Sequence, residues 1–312
     1  MSFVSLAQAT DITLSSAIVI NRNNIANYNN KSVVGTIPAN SVAGDNGNFT
    51  SKGAIVVNEI EHNLTIDGLN VDYSEQYSMH SGISLVNGAK LHLTVKDTNT
   101  LKAGYGGAGI AVPDGTTLEI TSLSTGTLNF TGGKNYGGGA GIGSIGDHNN
   151  TSQVNAYIFP QGLGDIIING GTINAQGGMW HQYYTEAGGT AGIGSSEFSG
   201  LSTTTTDWGS ATYLNNNITG SVTINGGRVN ARGGTSAAGI GGGNNGTFKP
   251  ISITGGTATA TANNGSVAIG LGNNGFTSGS GTLTCPAISI SGGNVTANGG
   301  IGYGEALYRK EP

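Results

Sequence analysis

Cysteine is almost missing from this chain. The one residue, Cys285 before Pro286, cannot close a disulfide within the chain and cannot alone hold zinc. Charge is scarce as well: 12 Lys and Arg against 17 Asp and Glu leave a net charge of -5, and only 9% of residues are charged. No Lys or Arg occurs between Lys134 and Arg228, and no basic stripe compensates elsewhere. Nucleic acid is therefore not an expected partner. Long hydrophobic runs are absent too; nothing approaches the roughly 18 apolar residues of a membrane span. Aromatics make up 6% of the chain, and their uneven placement matters below.

Glycine is what the sequence has in excess, 57 residues of 312. No G-X-Y period accompanies it, which excludes collagen, and periodic aliphatic residues exclude a disordered polymer. The aliphatics belong to a repeat. Its clearest copy runs from Val222 to Gly243, VTINGGRVNARGGTSAAGIGGG. Related copies begin at Ile166, Ile251 and Ile288, and degenerate ones at Leu64, Leu93 and Leu118. Self-similarity at this scale marks a solenoid.

Each copy has three beats separated by glycine pairs. In the first beat the outer two positions are aliphatic, as in Leu64-Thr65-Ile66, Leu93-Thr94-Val95, Leu118-Glu119-Ile120 and Val222-Thr223-Ile224, and the residue between is polar in all but Ile166-Ile167-Ile168. That is period two, the pattern of a strand with one buried face. Ile173/Ala175 and Val229/Ala231 repeat it in the second beat, and Ala191/Ile193 and Ala238/Ile240 in the third. Compact copies, such as Val222 to Ile251, are too short for a propeller blade of about 40 residues and four strands. The predicted fold is all-β: a right-handed, three-sided parallel β-helix of about seven to eight coils with loops inserted at its corners. The predicted divisions are an N-terminal cap over residues 1–52, the β-helix over 53–304 and a C-terminal tail over 305–312. Residues 53–66 align without gaps on 82–95, so an incomplete eighth coil starts near Gly53.

The motif GGTxxAxGG followed by AGIGGG resembles the Gly-rich repeats of secreted and wall-associated proteins of gut and soil bacteria. It is also similar to bacterial β-helix proteins described as carbohydrate-binding. The resemblance spans roughly residues 53–304 and implies a parallel β-helix placed outside the cell or on its surface. It carries over no functional residue, because solenoids host pectinases, adhesins, phage fibres and ice binders alike. At the N-terminus, Ala7-Gln8-Ala9 matches a signal-peptidase site without its basic and apolar regions. Either a leader has been cut away, or the match is chance and the chain is exported otherwise or belongs to a virion.

Catalytic chemistry finds little support. A solenoid glycosidase needs two carboxylates roughly 5–10 Å apart. The outward first-beat stripe, read as Thr65, Thr94, Glu119, Ile167, Thr223, holds one acid, and the second-beat stripe holds Lys102. No catalytic residue, metal or cofactor is therefore expected. Glu59, Glu61, Asp67 and Asp72 cluster near the first coil, with Glu59 and Glu61 on one strand face; a solvated edge is the plainer reading and a catalytic or metal pair the sharper one. Gly146-Asp147-His148-Asn149-Asn150 faintly resembles a Ca²⁺ loop. Ice binding would need Thr-x-Thr on consecutive coils, and Thr257 to Thr261 is the one strong instance.

Two surface features remain. Gly109, Gly141, Gly192 and Gly239 occupy the position between the aliphatics of the third beat, which predicts a face of nearly bare main chain. That contact face is covered by a loop, meets another subunit, or simply flattens the backbone. Aromatics gather at the corner between the second and third beats: Tyr77, Tyr105 and Tyr136 on successive copies, then Trp180, His181, Tyr183 and Tyr184 in an insertion, with Glu186 beside them. Such rings suit stacking on sugars, with His181 and Glu186 supplying hydrogen bonds, or else they close over corner gaps. At the ends, Ala17-Ile18-Val19-Ile20 is the expected apolar plug, and Tyr303, Leu307 and Tyr308 the expected cover of the last coil. The expected function is non-catalytic recognition of a glycan or other cell-surface polymer outside the cell. The alternative is a structural part, a wall, filament or phage-fibre module that self-associates through its glycine face or its ends.

Overall fold

The computed structural model describes residues 11–44, 52–77, 79–134, 138–146, 162–179, 189–196, 220–244, 246, 248–263, 265–273 and 286–302, with the backbone of the hairpin strands Leu201–Thr204 and Ala211–Leu214. Its strands form three stacks of parallel neighbours, and the protein is a parallel β-helix. The first stack includes Lys90–Lys96, Thr117–Ile120, Asp165–Ile168, Val222–Ile224, Ile251–Ile253 and Ile288–Ile290. The second includes Thr98–Lys102, Thr127–Thr131, Thr172–Gln176, Arg228–Arg232, Thr257–Thr261 and Asn294–Asn298. The long strand Glu61–Asp72 runs through both, so they are two arms of one sheet. The third stack begins with Ile18–Ile20, Gly53–Asn58 and Ser81–Val86 and ends with two-residue strands such as Ile240–Gly241 and Ile301–Gly302.

Period two becomes burial as expected. Leu118, Ile166, Val222 and Ile251 stack in register, and so do Ile120, Ile168, Ile224 and Ile253; all lie in one continuous core. Each buried aliphatic contributes roughly 1.5–3 kcal/mol before chain entropy is counted. The double-glycine corner between first and second stacks has its own cause. Gly171, Gly227, Gly256 and Gly293 have φ of +73°, +74°, +73° and +80°, a left-handed turn that a side chain resists. The glycine before each turn is equally constrained: a Cβ on Gly226 would strike the carbonyl of Asn169, and one on Gly255 that of Asn225.

Three expectations change. First, the register of the degenerate copies moves by two residues. Leu118 pairs with Leu91 and Ile120 with Leu93, so Glu119 lies opposite His92 rather than Thr94. The second stack moves likewise: Phe130 pairs with Leu101, Leu128 with a buried Asn99, and Lys102 with Thr131. The coil of Lys90–Lys96 lacks the glycine pair and turns instead at Asp97, with φ +43°, whereas the next coil turns through residues 121–126, so the corners fall at different points along the chain. An even slip preserves which side chains face inward. Asn99 is tolerated inside because its Oδ1 accepts the Leu69 N–H at 2.8 Å and its Nδ2 donates to the Lys96 carbonyl at 2.7 Å.

Second, the gapless alignment of 53–66 on 82–95 holds only past the corner. Ile55 pairs with Ile83, and Glu61 with Lys90. The extra residue sits in the left-handed turn Asn87-Gly88, where the preceding coil turns at Glu59 alone. Glu59 is thus a corner residue at φ +58° and shares no strand face with Glu61.

Third, Gly109, Gly141, Gly192 and Gly239 do not form an outer contact face. All four are buried. A Cβ on Gly109 would lie 2.5 Å from the Gly141 carbonyl and 2.9 Å from Cβ of the core residue Phe130, and one on Gly239 would lie 2.6 Å from the Ala231 carbonyl. Ala268, the register partner of Gly239 in the next coil, belongs to the main core. The third stack therefore approaches the second so closely that only Gly or Ala fits. Ala108 turns the other way, into a small separate cluster with Met79, Ala111 and Ile145.

The segment before residue 53 supplies strands as well as cover. Ile12–Thr13 pairs with Ser32–Ile37, which pairs with Glu61–Asp72. Ile18–Ile20 pairs with Gly53–Asn58, and Ile20 is fully buried, as the apolar plug predicts. Tyr303, Leu307 and Tyr308 lie outside the described residues. Among the described residues no helix is long and apolar enough to cross a membrane.

Candidate functional site

Strand Lys90–Lys96 buries Leu91, Leu93 and Val95 and turns His92 outward. Its neighbours place carboxylates on both sides of that ring. Glu119 lies directly opposite His92, and Glu61 lies opposite Lys90, one diagonal step away. His92 Nδ1 is 2.5 Å from Glu119 Oε2, and His92 Nε2 is 3.1 Å from Glu61 Oε1. Asn169 Nδ2 donates to Glu119 Oε1 at 2.7 Å, Asn225 Nδ2 to Asn169 Oδ1 at 2.9 Å, and Thr254 Oγ1 to Asn225 Oδ1 at 2.7 Å. One continuous hydrogen-bonded ladder thus crosses successive coils from Glu61 to Thr254.

Burial opposes a charge on His92, but the hydrogen bonds and negative charges of Glu119 and Glu61 together outweigh it and raise its pKa. The imidazolium is the form in which both ring nitrogens donate. His92 and Glu119 are 28% and 27% exposed, so the ladder is reachable from solvent while its geometry stays packed. The two carboxylates bind opposite nitrogens of the ring and cannot converge on one ion. Among the described residues no group of three His, Cys, Asp or Glu is placed to hold a metal.

A second ladder runs along the other arm of the sheet. Asn174 Nδ2 donates to Asn129 Oδ1 at 2.9 Å, and Asn230 Nδ2 to Asn174 Oδ1 at 2.8 Å. Lys102 is tied to Asp72 at 2.7 Å.

At the corner between second and third stacks, Tyr77 and Tyr105 meet edge to face, with ring centroids 4.6 Å apart and planes at 62°. Tyr77 is 77% exposed. The Tyr105 N–H donates to the Gln76 carbonyl at 3.0 Å, which fixes one coil against the next. The structure brings together these two of the aromatics named from sequence. Tyr136, Trp180, His181, Tyr183, Tyr184 and Glu186 lie outside the described residues, as do Asp147 to Asn150 and Cys285. Sequence reasoning missed His92. The alternation from Lys90 to Lys96 points it outward, but anchoring the copy on Leu93-Thr94-Val95 left it outside the stripe.

A β-helix repeat family model matches residues 166–197, 222–244 and 288–306. These are late copies, where the glycine pairs are intact. No curated protein and no solved structure matches the chain.

Proposed function

We propose that this protein is a non-catalytic β-solenoid that recognises a glycan outside the cell, in the manner of an adhesin. The observation that carries the reading is the Tyr77–Tyr105 pair, a solvent-open aromatic edge on a solenoid whose sheet arms also carry hydrogen-bonding ladders repeating at the coil spacing of roughly 4.8 Å. Aromatic faces stack on sugar rings, and the ladder amides and hydroxyls offer donors and acceptors to sugar hydroxyls. Glu61 and Glu119, the two carboxylates that flank His92, are not arranged for hydrolysis. Inverting hydrolysis needs a water between two carboxylates, and between Glu61 and Glu119 the His92 ring fills that space. The resemblance of the repeat to carbohydrate-binding surface proteins points the same way. A glycan array followed by calorimetry on the best hit tests the reading. Binding that Tyr77→Ala weakens by several-fold is expected; an array with no hits, or release of reducing sugar abolished by Glu119→Gln, overturns it.

A second reading, a structural module that assembles end to end, draws on the last described coil. Its strands Ile288–Ile290 and Asn294–Asn298 are sheet termini, and Ile290 and Ile301 are 41% and 49% exposed. Open edges of this kind favour association. Sedimentation across a concentration series separates the two: a monomer that binds glycan supports the first, concentration-dependent oligomers without glycan binding the second.

A further inference from the structure

The two arms of the sheet differ in sign. Among the described residues, outward positions of the first stack carry Glu61, Asp67, Glu119 and Asp165 against Lys90, Lys96 and the His92 imidazolium. Those of the second carry Asp72 against Lys102, Arg228 and Arg232. Lys102 already faces Asp72. The arginines stand otherwise. Both are exposed, on one strand, with Val229 and Ala231 buried between them and Asn230 pointing outward with them. Their cross-strand neighbours are neutral: Arg228 lies between Thr172 and Thr257, and Arg232 between Gln176 and Thr261. No described carboxylate pairs with either guanidinium. Between them runs the amide ladder, in which Asn230 Nδ2 donates to Asn174 Oδ1 at 2.8 Å.

We infer that the glycan of the proposed function, held at the Tyr77–Tyr105 edge, is also anchored on the face around Arg228, Asn230 and Arg232, further along the same solenoid, and that it is a polyanion carrying carboxylate or sulfate groups. The inference rests on the glycan reading and adds the chemical class and a second contact. Guanidinium takes a carboxylate or sulfate oxygen pair through two parallel N–H donors, which an ammonium cannot match. The two arginines are four residues apart on an extended strand, roughly 13 Å at about 3.3 Å per residue, so a linear polymer crossing the coil meets one anion site at each end and an amide between. The opposite arm carries no arginine at an outward strand position among the described residues and offers no such anion site. The chain's net charge of -5 disfavours retention of polyanions by bulk attraction, so binding must be local.

The test is calorimetry at low ionic strength with three polymers of matched length, a polyuronate, a sulfated polysaccharide and a neutral glucan, against the wild type and the double variant R228Q/R232Q. The expected result is preference for an anionic polymer, weakened by added salt, and a loss of roughly three- to ten-fold in affinity in the double variant, from two solvent-exposed ionic contacts. Its melting temperature should not move, since both side chains are exposed. Preference for the sulfated polymer over the polyuronate supports the site and assigns the anion as a sulfate ester; the reverse assigns a carboxylate. Equal binding of neutral and anionic polymers, or anionic binding unchanged in R228Q/R232Q, overturns this inference and leaves the glycan reading standing. Absence of binding to all three, together with an empty glycan array, overturns both.

Discussion

The early coils, through residue 134, and the late coils, from residue 162, are built on one plan with different means. Early strands are long: Glu61–Asp72, Ser81–Val86 and Lys90–Lys96 hold their coils through extended ladders, with charged and aromatic side chains on the outside. Late strands of the third stack shrink to two residues, and glycine takes over the corners. The register column Val56, Ser84, Ala111 in the early coils turns to glycine at Gly143, between the two regions, and stays glycine in the late coils at Gly194, Gly241 and Gly270, with φ of +140°, +135°, +135° and +129°. Where the repeat is strict, the backbone itself does the fitting. Where it decays, side chains gain room for other work: the Glu61–His92–Glu119 bridge and the Tyr77–Tyr105 pair both lie in early coils.

The comparison can be broken most severely in the late core. Ile224→Asp places an unpaired carboxylate in the continuous core and should cost on the order of 4 kcal/mol or more. Thr223→Asp, one residue away on the outer face, should change stability little. Thermal melts of the two side by side check the register; equal tolerance would refute it. Next comes the glycine column. Gly241→Ala forces a side chain into φ +135° and against the Gly270 carbonyl, and should cost at least about 1–3 kcal/mol. Ala111→Gly at the same register position, where alanine already fits, should be far milder in chemical denaturation.

Acid should distinguish the coils further. His80 packs edge-on against Tyr73, its Nδ1 has no hydrogen-bond partner, and burial, helped by Lys52, pushes its pKa down to about 4. His62, in the inward column opposite Leu91, is lowered by burial as well. Both bind protons more readily unfolded than folded, so stability falls as pH drops from the ordinary histidine value near 6.5 toward about 4. Hydrogen exchange across that window should show the coils around His62 and His80 opening before the late coils, which carry no described histidine. His92 acts in the opposite direction. Its raised pKa gives stability that is complete below about 6.5 and is lost as pH climbs through the folded value. Glu119→Gln should lower that pKa, as followed by NMR titration of the ring. The smallest effect on stability is expected from Tyr77→Ala: an exposed ring is removed, the melting temperature stays nearly constant, and the change is read in glycan affinity.

Read by itself, the sequence determined the parallel β-helix, the three beats and the inward aliphatics of the first and second beats, because alternation and glycine pairs are local signals repeated many times. It also placed Tyr77 and Tyr105 on one edge, since both sit at the same corner of successive copies. Tertiary structure decided the register where the glycine pairs are lost, and with it the partnership of His92 with Glu119 and Glu61. It also decided the inward direction of Gly109, Gly141, Gly192 and Gly239. Both depend on distances between strands far apart in the chain. A two-residue slip leaves every hydrophobic residue on its proper face, so the hydrophobic pattern does not distinguish the registers. A glycine, having no side chain, leaves no mark in that pattern of which way it points. Only the close approach of the third stack to the second resolves it.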